Sequence, residues 1–103
     1  MKITKNMYYE KSWESDELYL YAINTEKLYS GWAVPAINNL HKKYQKGTFN
    51  KDRSIIMFYR MATDAAKMYQ SEIDTLAKFS VTARWTTACE LLDYYMEDIE
   101  KGI

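Results

Sequence analysis

The sequence predicts an all-α, or mainly α, fold: a compact bundle of about four helices in a single domain over residues 1–103, one helix kinked or broken at Pro35, with an extended or short-strand N-terminal arm. Three glycines and one proline leave too little turn chemistry for a sandwich of short strands, while long segments repeat apolar residues every three or four positions. At this length the chain fills one core and does not divide.

The first segment is the least regular. Ile3, Lys5, Met7 and Tyr9 alternate with polar positions, the pattern of a short strand or an extended arm over residues 1–14. Ser15 then reads as the cap of a short helix, with Asp16 and Glu17 in its first turn and Leu18, Tyr21 and Ala22 on its buried side. Thr25 is the expected cap of a second stretch running to about Lys46. Pro35 interrupts that stretch by withholding a donor from the Gly31 carbonyl. The stripe agrees: Leu28 and Trp32 lie on one side of an ideal helix, and Ala33, Ile37, Leu40 and Tyr44 roughly 130° around it. Lys42, Lys43 and Lys46 near the carbonyl end, and Gly47 beyond it, mark the stop.

Asn50 caps a third helix over about 51–73. Its stripe of Ile55, Phe58, Ala62, Ala65, Ala66, Tyr69 and Ile73 makes it the expected centre of the fold. Met57, Met61 and Met68 form a second ridge roughly 120° away, either because the helix packs on two sides or because adaptable thioethers meet a partner. Ser80 caps the last helix, with Phe79 as a possible hydrophobic staple. Val81, Trp85, Ala88, Leu92, Tyr95 and Ile99 face inward. Glu90, Asp93, Glu97 and Glu100 face outward with Tyr94, giving an acidic surface that serves solubility or recognition.

Composition narrows the function. The charge sum is zero, 14 basic against 14 acidic residues, which excludes a uniformly basic coat and a polybasic anchor. Its distribution is uneven: residues 1–26 sum to −2, residues 27–60 to +6 and residues 61–103 to −4. Lys42, Lys43 and Lys46 share a helix side with Asn39, and Lys51 and Arg53 follow the turn. This basic block can screen a helix end and pair with the acidic last helix, or it can meet phosphates or an acidic protein patch.

The lone Cys89 forms no intrachain disulfide, no apolar run approaches a membrane span, and the N-terminus lacks an apolar leader. The expectation is a cytoplasmic protein with no membrane partner. His41 is single, which removes paired-histidine metal sites, and no phosphate-cradling or nucleophile-elbow motif occurs. Cys89 beside a buried stripe reads as an inert core thiol. The chain is therefore expected to be a non-enzyme with no cofactor and no metal.

Three runs of residues carry a resemblance: Thr25-Glu26-Lys27-Leu28-Tyr29, then Leu40-His41-Lys42-Lys43-Tyr44-Gln45-Lys46-Gly47-Thr48-Phe49, then Phe79-Ser80-Val81-Thr82-Ala83-Arg84-Trp85 leading into Ala88-Cys89-Glu90-Leu91-Leu92. They are similar to small accessory proteins of tailed bacteriophages and cover about a quarter of the chain. What the resemblance implies is a setting in the bacterial host cytoplasm, with no catalytic residue to transfer. The first expectation is non-covalent binding to a host or defence protein, as an inhibitor or modulator of anti-defence or anti-CRISPR type. The second is nucleic-acid binding through the 42–53 segment, with Tyr44 or Phe49 stacking on bases, or mimicry of DNA by the acidic last helix. A third is a self-assembling homo-oligomer, structural or nucleotide-sequestering.

Overall fold

The computed structural model describes residues 10–100, with the side chain of Asp98 left aside. The described chain is a helical bundle, 82% helical and with no strand among the described residues. Most of the N-terminal arm expected over 1–14 lies outside the described residues. Its last part is on view: the Glu10 amide donates to Thr86 Oγ1 at 2.8 Å, and that hydroxyl donates to the Glu10 carbonyl at 3.2 Å.

Helix α1 spans Trp13–Asn24 and is capped by Ser12, not Ser15. The two serines form a capping box in which Ser15 takes the place usually held by glutamate. The Ser15 amide donates to Ser12 Oγ at 3.1 Å and the Ser12 amide to Ser15 Oγ at 2.9 Å, so two orphan donors are satisfied at once. Ser15 is then buried one turn inside the helix, where its carbonyl accepts from Thr87 Oγ1 at 3.2 Å. Leu18 and Ala22 are fully buried along the same face.

Helix α2 (Glu26–Leu28), a π turn (Tyr29–Ala33) and helix α3 (Val34–Lys46) follow one another without a gap. Thr25 sits at the cap position, but its hydroxyl donates back to the Tyr21 carbonyl at 2.6 Å. The interruption expected at Pro35 is the wide turn just before it. The Val34 amide reaches back five residues to the Tyr29 carbonyl, and Pro35 lies in the first turn of α3, where a missing donor costs least. One extra residue in the turn re-phases the stripe, so Leu28, Ala33, Ala36 and Leu40 are all buried. Trp32 stays half-buried and donates from Nε1 to Asp64 Oδ2 at 2.8 Å. Tyr44, expected inward, is exposed: it occupies the last turn, where its ring meets the edge of Phe49 at 6.2 Å. Gly47 closes α3 at φ 74°, with the Thr48 amide bonded to the Lys43 carbonyl at 2.9 Å.

Helix α4 (Lys51–Glu72) is capped by Asn50, whose Oδ1 accepts from the Arg53 amide at 3.0 Å. Ile55, Phe58, Ala62, Ala65 and Tyr69 are buried as the stripe requires, and Met61 joins them at 1% exposure. Ile73 falls just past the helix end and is exposed.

Helix α5 (Val81–Glu100) starts at Ser80, whose Oγ accepts from the Ala83 amide at 3.0 Å. Phe79 packs edge-on against Tyr69 of α4 at 5.2 Å. The buried surface of α5 is broader than its periodicity indicates. Ala83, Thr86, Thr87, Ala88, Cys89, Leu91, Leu92, Tyr95, Met96 and Ile99 are all buried, whereas Val81 is exposed and Trp85 lies half-buried on Tyr59, ring centroids 3.9 Å apart. This helix shares the centre with α4, as the sequence led one to expect of that helix: the two pack most extensively on each other, and α1 and α3 pack on both.

Candidate functional site

Two clefts of opposite charge stand out. In α5, Glu90, Asp93, Tyr94 and Glu97 recur at spacings of three and four, which places them on one stripe. Helix α1 brings Tyr19 against that stripe. The five side chains line an open cleft of about 300 Å³. The Tyr19 and Tyr94 rings meet at 84° with centroids 6.1 Å apart, and Tyr94 meets Tyr95 behind it at 76° and 5.0 Å. These edge-to-face contacts fix the corner of the cleft and leave Tyr94 about half exposed. Glu97 and Glu100 are exposed and Glu90 and Asp93 half-buried. Glu100 lies on the same helix but does not line the cleft.

Two phenols at this corner, Tyr19 and Tyr95, hold their protons more tightly than an ordinary tyrosine. Burial, then the neighbouring Tyr94 and the carboxylate of Glu90, pushes Tyr19 above the ordinary tyrosine value of 10.0. Tyr95 is pushed up to about 12 by burial first and then by Tyr94, Tyr29 and Tyr19. The cleft therefore combines acidic side chains with electron-rich rings. That combination suits a cation: the carboxylates supply charge and the ring faces supply quadrupole attraction.

The basic block divides. Lys51 leaves it: its Nζ lies 2.9 Å from Asp93 Oδ1, which makes it the seam between basic and acidic surfaces. Lys42, Lys43, Lys46 and Arg53 are exposed. Lys43 and Arg53, with Asn39 and Ser54, rim a second cleft of about 50 Å³ between α3 and α4, floored by Leu40, Met57 and Phe58. The methionine ridge is not one continuous exposed surface, although Met57 reaches the second cleft. Met61 is core, and Met57 and Met68 are half-buried against it, because α4 packs on more than one side.

Tyr19 is the functional-site candidate that sequence reasoning missed. Its role becomes visible only when α1 is packed on α5, which brings the Tyr19 ring against Tyr94. A third cleft, about 260 Å³ and lined by Glu10, Ser12, Glu14, Ser80, Thr82 and Ala83, joins the starts of α1 and α5 and has no sequence signature. Among the described residues no group of three or more His, Cys, Asp or Glu side chains is placed to hold a metal ion, and no helix is long and apolar enough to cross a membrane.

The fold and its two clefts define an all-α bundle with segregated surface charge. No protein-family model matches the chain, and comparison with curated proteins and with solved structures yields no match.

Proposed function

We propose that this chain is a non-catalytic protein-binding modulator that grips a basic segment of its partner in the α1–α5 cleft. One observation carries the reading: three carboxylates and two tyrosine rings line an open cleft large enough for a lysine or arginine side chain. A guanidinium entering there donates charge-assisted hydrogen bonds to Glu90 or Glu97 and makes ring contact with Tyr94. The Lys51–Asp93 pair lies at the edge of this surface and fixes one carboxylate in place. In the phage setting implied by the resemblance, the partner is a host or defence protein whose own anion-binding surface is blocked when it is held in this way.

The test is fluorescence anisotropy with a labelled arginine-rich peptide at low and moderate salt. Saturable binding is expected, weakened at least 10-fold by Glu90→Gln with Glu97→Gln, since each charge-assisted bond contributes about 1.5–3 kcal/mol. Equal binding by wild type and the double variant, with both folded by circular dichroism, overturns the reading.

A further inference from the structure

The Lys43–Arg53 cleft shares no residue with the acidic cleft, and binding of a basic partner leaves it unused. We propose that it holds one phosphate of a single-stranded nucleic acid whose neighbouring phosphates run along the Lys42–Lys46 ridge.

The pieces come from two helices. Asn39 and Lys43 are one turn apart on α3, and Arg53 and Ser54 stand in the first turn of α4, so two cations and two neutral polar side chains face the same small space. The space is about 50 Å³, on the scale of one or two waters, each of which occupies about 30 Å³ of liquid. It accommodates the oxygens of a single oxyanion. Its floor of Leu40, Met57 and Phe58 excludes water from one side, which strengthens the attraction between the rim cations and an anion.

A polymer fits better than a free anion because the positive charge continues past the cleft. Lys42 and Lys46 are exposed on the same helix, and Asp52 is the one acidic residue between residues 27 and 60, a stretch with net charge +6. A single strand fits better than a duplex because of Tyr44. It is 45% exposed, adjoins Lys43 in the chain, and is braced edge-on by Phe49 at 6.2 Å. An unpaired base has a ring face to stack on there, while a base inside a duplex does not.

Four cations, Lys42, Lys43, Lys46 and Arg53, fix the expected salt dependence. For a single strand the logarithm of affinity falls with slope about −0.7 per phosphate neutralised, so four contacts cost roughly 50-fold between about 50 and about 200 mM salt. The experiment titrates the full chain into labelled oligothymidylate, oligouridylate and a duplex of equal length, with inorganic phosphate as a separate arm. Lys43→Gln with Arg53→Gln is expected to weaken binding and reduce the salt loss to roughly 7-fold. Tyr44→Ala is expected to weaken single-strand binding about 5-fold or more without changing the slope. Lys27→Gln, an exposed basic position off the ridge, leaves both unchanged. Lys42→Gln with Lys46→Gln repeats the slope test on side chains that have no part in the core.

The proposal fails if neither oligonucleotide binds at about 50 mM salt, if the Lys43/Arg53 variant keeps the wild-type slope, or if the duplex binds as tightly as the single strands. It also fails if inorganic phosphate binds as tightly as the oligonucleotides, because the cleft is then a small-anion site. Failure here leaves the acidic cleft untouched, since the arginine-rich peptide reads that surface separately.

Discussion

Replacing Phe58 by alanine removes the side chain that links the core to the basic cleft. Phe58 is 1% exposed, stacks on Tyr95 with ring planes 17° apart and centroids 5.9 Å apart, and its ring floors the Lys43–Arg53 space. Burial on this scale puts the loss from Phe58→Ala at about 3–5 kcal/mol, transfer free energy and cavity together. A domain of this size is stable by only about 5–15 kcal/mol, so the substitution removes a large share of the total. At about 4–8 °C per kcal/mol, the melting midpoint falls by at least about 12 °C. Phe58→Leu, which keeps most of the volume, costs about 1 kcal/mol. Urea denaturation followed by circular dichroism measures both. In a double-mutant cycle with Tyr95→Leu, a coupling of about 0.5–1.5 kcal/mol is expected from the ring pair. A loss below about 1 kcal/mol for Phe58→Ala, with an unchanged urea slope, would refute the placement of this ring at the centre of α4–α5 packing.

Two further outcomes test the local structure and the phenols. Ser12→Ala breaks the α1 capping box and is expected to cost about 1 kcal/mol in urea denaturation; no change would mean that α1 begins elsewhere. Tyr95 keeps its proton to about pH 12 in the folded chain, and its ordinary value is 10.0. Its contribution is therefore complete below pH 10.0 and declines as pH rises from 10.0 through about 12. A tyrosinate absorbance titration should show Tyr19, Tyr21, Tyr69 and Tyr95 ionising late, with alkaline unfolding as Tyr95 ionises. Tyr95→Phe should remove the last step, and complete ionisation at ordinary values in the folded chain would contradict the burial.

Helix positions were readable where a local signal fixed them. Asn50, Ser80 and Gly47 act through bonds within one turn, and their chemistry is visible in four or five residues of sequence. The α1 cap was misplaced by one turn because Ser12 and Ser15 are both good caps, and only the box between them decides. The π turn before Pro35 was visible as a stripe that one straight helix could not bury, but its form depended on tertiary packing of Leu28 and Ala36. Met61 and the breadth of α5 were hidden for the same reason. A helix gripped by three neighbours buries polar positions such as Thr86 and Thr87 once their hydroxyls find carbonyls, and that is decided by contacts far apart in sequence. The acidic stripe was legible as periodicity, whereas its conversion into a cleft required Tyr19 from α1.

The central claim, that the α1–α5 cleft receives a basic segment, is tested most directly by amide chemical-shift mapping of the full chain with an arginine-rich peptide. The account predicts saturable shifts clustered at Tyr19, Glu90, Asp93, Tyr94 and Glu97, lost on replacing Glu90 and Glu97 by glutamine. Shifts centred elsewhere on the surface, or shifts at the cleft that persist in the double variant, would contradict it.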